Sequence, residues 1–218
     1  MVRQRVVETT EGIQDLYTVE IFDRMQRRFR DKGWMEINAL LASGITRGEV
    51  LEIGPGPGYL GLEWLKRTEG TRLVGLDISS AMIELAKRNA AEYGLSDRYE
   101  LMPGVGDKIP FEDNRFDGVV AANTLHEWEH PADTLAEIWR VLKPGGRLFL
   151  HDLRRDTSLP MRWFLHLATR PKEILPGLHS SLNAAYTKAE VKALFAASPF
   201  GAGTVKTNLI GLNAVAVK

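Results

Sequence analysis

Residues 50–61 read VLEIGPGPGYLG. The apolar run of Val50, Leu51 and Ile53 reads as a buried strand, Gly54, Gly56, Gly58 and Gly61 as a tight loop, and the residues from Tyr59 onward as the start of a helix. Glycine at successive loop positions permits positive φ and lets backbone approach a ligand closely. The helix behind the loop presents unpaired N–H groups and the positive end of its dipole. A strand, a glycine turn and a helix in this order suit a nucleotide-like cofactor, although such turns also serve tight packing alone.

Upstream, residues 15–32 place Leu16, Val19, Ile21, Phe22, Met25 and Phe29 near helical spacing, which predicts an amphipathic helix. Its Arg24, Arg27, Arg28 and Arg30 read as a solvated face rather than a substrate-steering patch. Residues 34–42 predict a second helix ending at Ser43-Gly44. Downstream, a helix over 59–67 leads to a buried strand over 71–76 that ends in Asp77. Asp77 follows the glycine loop by close to the ~20 residues at which an acidic side chain meets ribose hydroxyls in dinucleotide folds, and it is the expected ribose ligand. The plainer reading is a cap for the next helix, a task that Ser79 or Ser80 also suits.

The alternation then continues. A helix over 80–93 is stopped by Gly94; strands are expected over 99–102, 116–122 and 147–151, with a helix over 131–142 and an aperiodic loop over 103–115. Repeated strand-helix units imply an α/β fold with a parallel sheet covered on both faces and right-handed crossovers. Past Asp152 the pattern changes: 161–169 is an aromatic amphipathic helix, and the Pro- and Gly-broken stretch 171–183 reads as a lid. A helix over 187–197 starts with Thr187 and Glu190 at capping-box spacing, and two short strands around Gly211 within 205–217 are expected to run antiparallel. The expected organisation is one domain: 1–48 as N-terminal helices over the active site, 49–152 as cofactor-binding core, 153–186 as lid and substrate segment, 187–218 as closing helix and strand pair.

With 218 residues and 44% hydrophobic content, the chain can bury one substantial core. Lys plus Arg equals Asp plus Glu at 28 each, so no global basic field collects nucleic acid or an anionic membrane, and a small-molecule partner is expected. The absence of cysteine excludes disulfides, thiolate metal sites and a Cys nucleophile. The opening MVRQRVVETTEG has no apolar h-region, and no window approaches the ~18 apolar residues of a spanning helix, so a soluble cytoplasmic protein is expected.

Four stretches, VLEIGPGPG at 50–58, VGLDIS at 74–79, IPFEDNRFDGVV at 109–120 and EIWRVLKPGGRL at 137–148, resemble in order and spacing the class I S-adenosylmethionine-dependent methyltransferases, in particular the branch of ubiquinone and menaquinone biosynthesis C-methyltransferases. The resemblance implies a Rossmann-like doubly wound sheet of seven strands, mostly parallel with an antiparallel last strand. It implies S-adenosylmethionine as cofactor and S-adenosylhomocysteine as product. Gly54, Gly56 and Gly58 would border the methionyl part and Asp77 would take the ribose hydroxyls. Ile78 and Met82 would lie beside the adenine, or equally be ordinary core. Relatives carry Gly-Asp where this chain has Gly104-Val105, so Asp107 is the candidate adenine contact.

Residue chemistry favours the same cofactor over a nicotinamide dinucleotide. Pro55 and Pro57 remove two N–H donors from the loop, and Glu52 would repel a pyrophosphate. S-adenosylmethionine has no phosphate, and its ammonium suits a carboxylate such as Glu52, directly or through water.

After the fourth expected strand, His126-Glu127-Trp128-Glu129-His130 formally matches the HExxH zinc-protease pattern. Pro131 biases His130 away from helical geometry, so no metal ligand set is expected. In the methyltransferase reading Asn123, His126, Glu127 and Trp128 face the cofactor and substrate. His126 and His151, each at a strand's carboxyl end, are the candidate bases, with hydrogen-bonded rim histidines as the alternative. Asp152, Arg154 and Arg155 would orient a polar acceptor or form surface ion pairs, and Trp34, Trp128, Trp163 and Phe164 would line an apolar pocket or pack a lid. The expected activity is in-line methyl transfer to a small molecule. A zinc hydrolase using the HEWEH stretch and a cofactor-binding protein without turnover are the alternatives.

Overall fold

The structure, a computed structural model, describes residues 4–8 and 12–218. Parts of the N-terminal stretch read above, 1–3 and 9–11, lie outside the described residues.

Strands β1 (Glu49–Ile53), β2 (Arg72–Asp77), β3 (Tyr99–Pro103), β4 (Phe116–Ala122), β5 (Leu142–Leu153), β6 (Thr204–Thr207) and β7 (Gly211–Val217) form one sheet in the order β3-β2-β1-β4-β5-β7-β6. Strands β1 to β5 pair in parallel, whereas β7 is antiparallel to both β5 and β6. The seven-stranded arrangement, including the antiparallel last strand, is the one expected from the sequence.

Helices α1 (Leu16–Asp31), α2 (Ile37–Ala42), α3 (Tyr59–Lys66), α4 (Ser80–Glu92), α5 (Pro131–Val141), α6 (Leu159–Ala168), α7 (Leu175–Ala184) and α8 (Lys188–Ala197) complete the chain. Because side chains alternate along a strand, Leu51 and Ile53 of β1 join one core with Ile138 of α5 and Val191 and Phe195 of α8. Val50 joins the opposite core with Leu62 of α3, Ile83 of α4 and Leu40 of α2. Caps define the helix starts. Asp15 accepts from Thr18 N at 2.8 Å, and Ser79 accepts from Met82 N at 3.1 Å, so Ser79 caps α4 and leaves Asp77 outside it.

The Thr187/Glu190 capping box of α8 is complete: Thr187 Oγ1 accepts from Glu190 N at 3.3 Å, and Glu190 Oε2 accepts from Thr187 N at 2.7 Å. Thr187→Ala is expected to lower stability by about 1 kcal/mol. Urea denaturation should show a lower midpoint at unchanged slope; an unchanged midpoint would contradict the cap.

Two boundaries differ from the sequence reading. Strand β5 begins at Leu142, pairing with Phe116, and bulges over residues 143–146, where Gly145 takes a positive φ, before pairing resumes between Gly118 and Arg147; Gly145 N and Gly146 O are bonded to the backbone of Lys218. The segment 171–183, expected to be broken, holds nine of the ten residues of helix α7, which ends at Ala184. Its Pro176 falls in the first turn, where the missing N–H has no intrahelical partner to lose. Helix α6 buries none of its residues and turns Leu159, Trp163, Phe164 and Leu167 to solvent.

Candidate active site

At the carboxyl ends of β1, β2 and β4 lies a cleft of about 240 Å³. Gly54 (φ 66), Gly56 (φ 52) and Gly58 (φ 81) all sit in the left-handed region, so side chains there would be strained. A Cβ on Gly54 would also lie 2.3 Å from Thr124 Cγ2. The donors of this loop are spent inside the chain: Gly54 N donates to Leu76 O, Gly58 N to Pro55 O, and Gly56 N to Asp77 Oδ2 at 2.9 Å. Pro55 and Pro57 have none to give. The loop is therefore not a phosphate cradle, whereas a cofactor needing close backbone approach and a carboxylate fits it.

Asp77, at the end of β2, is 8% exposed and lines the cleft. Its oxygens accept from Gly56 N and Ser79 N, each at 2.9 Å, leaving further lone pairs for hydroxyl donors. Burial raises its pKa and the two N–H groups counter the rise. Gly54, Gly56, Ile78, Met82, Asp107 and Asn123 also line the cleft, and Val105 stands beside Asp107 there. Gly58 does not reach it; as N-cap of α3 it packs toward Tyr99 and Ala86.

Glu52 is displaced from the expected position. Strand alternation turns it to the face of Val50, beneath α3, where it is 3% exposed and accepts from Tyr99 Oη at 2.5 Å. It is not among the residues lining the cleft. Burial pushes its pKa up to about 7, against the lowering bond from Tyr99, and the Asp77 carboxylate adds to the rise. The folded state thus holds this proton more tightly than the unfolded chain. Glu52's contribution to stability is full below pH 4.5 and falls as pH rises to 7, a loss on the order of 2–3 kcal/mol. Glu52→Gln is expected to flatten the stability profile over that window, measured by urea unfolding at successive pH values; an unaltered slope would contradict the assignment.

After β4 the HEWEH stretch is not a helix. Leu125–Glu127 forms a short 3₁₀ turn, Trp128 is extended, and His130 starts α5 with an exposed side chain. His126 and His130 therefore stand on separate elements, and among the described residues no group of three or more metal-ligating side chains converges. His126 is 3% exposed and is not among the residues lining the cleft. Asp152, buried in β5, holds it twice, accepting from the backbone N at 2.9 Å and standing 2.7 Å from Nδ1. Burial lowers the histidine's pKa, but the Asp152 carboxylate, with Glu127 and Glu8, outweighs it and brings the value to about 9. At neutral pH it is an imidazolium without a lone pair to offer. His151 is not in the cleft wall either; its Nδ1 lies 2.6 Å from Asn213 Oδ1.

The remaining sequence candidates divide similarly. Trp128 lines the cleft, while Trp34 packs on Phe29 and Trp163 and Phe164 face solvent. Arg154 pairs with Asp156 at 2.7 Å and buried Arg155 with Glu190 at 2.5 Å, so both act within the scaffold.

Several contributors were not legible in the sequence. Ile13, Phe22 and Gln26, before and on α1, form a cleft wall. Arg5 donates to Ala184 O at 2.6 Å and His126 O at 3.0 Å and lies over the Tyr186 ring, which binds the N-terminal segment to α7 and the turn after β4. Only the helical spacing of Phe22 hinted at any of this.

A family model described as a methyltransferase domain matches residues 51–150. Over 105 residues the chain is 37% identical to an uncharacterized methyltransferase of Bacillus subtilis, covering 48% of this chain and 56% of that protein. It is 33% identical over 147 residues to a demethylmenaquinone methyltransferase of Deinococcus radiodurans, covering 67% and 59%. The chain thus spans less than two thirds of the length of either relative. A ubiquinone/menaquinone biosynthesis C-methyltransferase of Geotalea daltonii is 25% identical, with 83% and 80% covered. Among solved structures, a SAM-dependent methyltransferase of Aquifex aeolicus superimposes with a TM-score of 0.71 at 21% identity, covering 94% of this chain and 99% of that one, a likeness of fold.

Proposed function

We propose that the chain is a class I S-adenosylmethionine-dependent methyltransferase and that it transfers a methyl group to a small-molecule acceptor bound in the cleft. One observation carries the reading: a glycine loop at positive φ whose Gly54, Gly56 and Gly58 N–H donors are all engaged within the chain, set against Asp77 at the end of β2. Asp77 takes the ribose hydroxyls, the loop backbone borders the methionyl part, and Ile78 and Met82 flank the adenine, with Asp107 and Val105 beside it. When bound, S-adenosylmethionine supplies a sulfonium-activated methyl group.

The chain's own contribution is placement. Holding reacting partners in line supplies ~7–11 kcal/mol, more than the ~10²- to 10⁴-fold of a typical general base. The described cleft wall carries Asp77, Asp107, Glu127 and Glu129 and no Lys or Arg, which favours neutral or cationic acceptors over carboxylates and phosphates. The names of the relatives from Deinococcus radiodurans and Geotalea daltonii point to quinone-type acceptors. Among the described residues no helix is long and apolar enough to cross a membrane.

The test is transfer of labelled methyl from S-adenosylmethionine to a panel of a hydroquinone, a phenol, a primary amine and a thiol. Label in at least one neutral or cationic acceptor is the expected result. Binding of S-adenosylmethionine without transfer to any of them would favour a cofactor-binding protein without turnover.

A further inference from the structure

The turn after β4 holds a carboxylate that cofactor binding leaves unused. Glu127 lies in the cleft wall at the end of the central strand β4. Its side chain is 50% exposed. The turn is held from behind by Asp152, which fixes His126 through both its backbone N and Nδ1. His126 Nε2 is thereby aimed at Glu127 Oε1, 3.9 Å away, and at Glu8 Oε2, 3.6 Å away. On either side of Glu127 in the sequence, Thr124 Oγ1 and Trp128 Nε1 are buried in residues that line the same cleft, and neither has a hydrogen-bond partner among the described residues. Buried polar groups left unmatched in this way mark a place for a polar ligand.

Resting on the methyl-transfer reading above, we propose that Glu127 accepts the proton released by the methyl acceptor, while Thr124 Oγ1 and Trp128 Nε1 hold the acceptor's polar group. The acceptor is then a neutral or cationic molecule whose nucleophile is unmasked by loss of an O–H or N–H proton. The balance is simple. The acceptor's electron pair forms the bond to the methyl carbon, the pair of the broken carbon–sulfur bond stays on sulfur, and the released proton passes to Glu127 and out through the cleft mouth. His126 is a positioning residue, because Asp152 engages its Nδ1 and its charge faces the carboxylate.

The charges around Glu127 fit this role. Partial burial raises its pKa, the His126 cation lowers it, and the carboxylates of Glu8, Asp152 and Asp77 raise it again, giving about 7. A proton acceptor is most effective when its pKa lies near the working pH.

The experiment follows the Glu127 carboxyl by NMR of protein labelled at the glutamate side-chain carboxyl carbon, with the signal assigned by its loss in Glu127→Gln. Titrations are run with saturating S-adenosylhomocysteine and, separately, S-adenosylmethionine. The expected midpoint is near 7 with the product and at least half a unit lower with the sulfonium ligand, whose added positive charge faces the carboxylate. Calorimetry at pH 8 should then show Glu127→Gln binding S-adenosylhomocysteine as the wild type does, and S-adenosylmethionine several-fold more weakly. For any panel acceptor that is turned over, kcat should fall ~10²- to 10⁴-fold with the KM for S-adenosylmethionine changed only by that factor of several. A midpoint near 4.5 with the product, identical midpoints with both ligands, or an unchanged kcat would overturn the role of Glu127. If neither ligand binds the wild-type chain, the methyl-transfer reading itself falls, and this inference with it.

Discussion

Asp77→Ala is expected to weaken S-adenosylmethionine binding about 100-fold or more. A hydrogen bond to a charged group contributes about 1.5–3 kcal/mol, and the carboxylate has accepting capacity for both ribose hydroxyls, so losing two such bonds removes at least about 3 kcal/mol. The substitution also frees Gly56 N and Ser79 N, which now donate to Asp77 at 2.9 Å, and so loosens the glycine loop itself. Asp77→Asn separates the two effects, since the amide oxygen still accepts one of these bonds. Its affinity should lie between those of wild type and Asp77→Ala, and its urea midpoint near that of the wild type. Wild-type affinity in Asp77→Ala, read by calorimetry, would remove the ribose assignment.

Asp152→Ala should be the most destabilising substitution near the cleft, by about 3–5 kcal/mol, because it leaves the buried His126 without its anion. The same pair sets a pH dependence. His126 has a folded pKa of about 9 against an ordinary 6.5, so the stability it contributes is complete below pH 6.5 and is lost as pH rises through 9. In Asp152→Asn the imidazole keeps the burial that lowers its pKa and loses the main cause that raises it. Its titration should therefore move below 6.5, and the alkaline loss of stability should disappear. Histidine ring NMR and urea unfolding between pH 6 and 10 check both; a value remaining near 9 in Asp152→Asn would show that Glu8 and Glu127 hold the charge instead.

The fold was legible because its signals are local and periodic. Alternating strands and amphipathic helices, Gly94 after α4 and the Thr187/Glu190 cap each act within a few residues. Pro176 misled because one residue type ends a helix in its interior and begins one in its first turn. The part of the cleft proposed for the cofactor was also legible as a cluster, since Gly54, Gly56, Asp77, Ile78 and Met82 all line it and come from β1 through the start of α4, a short stretch of chain.

The acceptor half was not, because its geometry depends on contacts distant in sequence. From the sequence, His126 reads as a base at a strand's carboxyl end, whereas Asp152, 26 residues on, engages its Nδ1. Glu52 lies one residue from Ile53, yet strand alternation sends it to the other core. Arg5 and Glu8 reach the turn after β4 from more than a hundred residues away, and no spacing pattern announces that.

On the proposed reading, this glycine loop serves a sulfonium cofactor and not a dinucleotide. Titrating the wild-type chain with S-adenosylmethionine in a calorimeter, with the nicotinamide dinucleotide NAD in a parallel run, tests it most directly. Saturable binding of one S-adenosylmethionine per chain, displaced by S-adenosylhomocysteine, and no heat from the dinucleotide are expected. Saturable binding of the dinucleotide, or none of S-adenosylmethionine, would contradict the proposed reading.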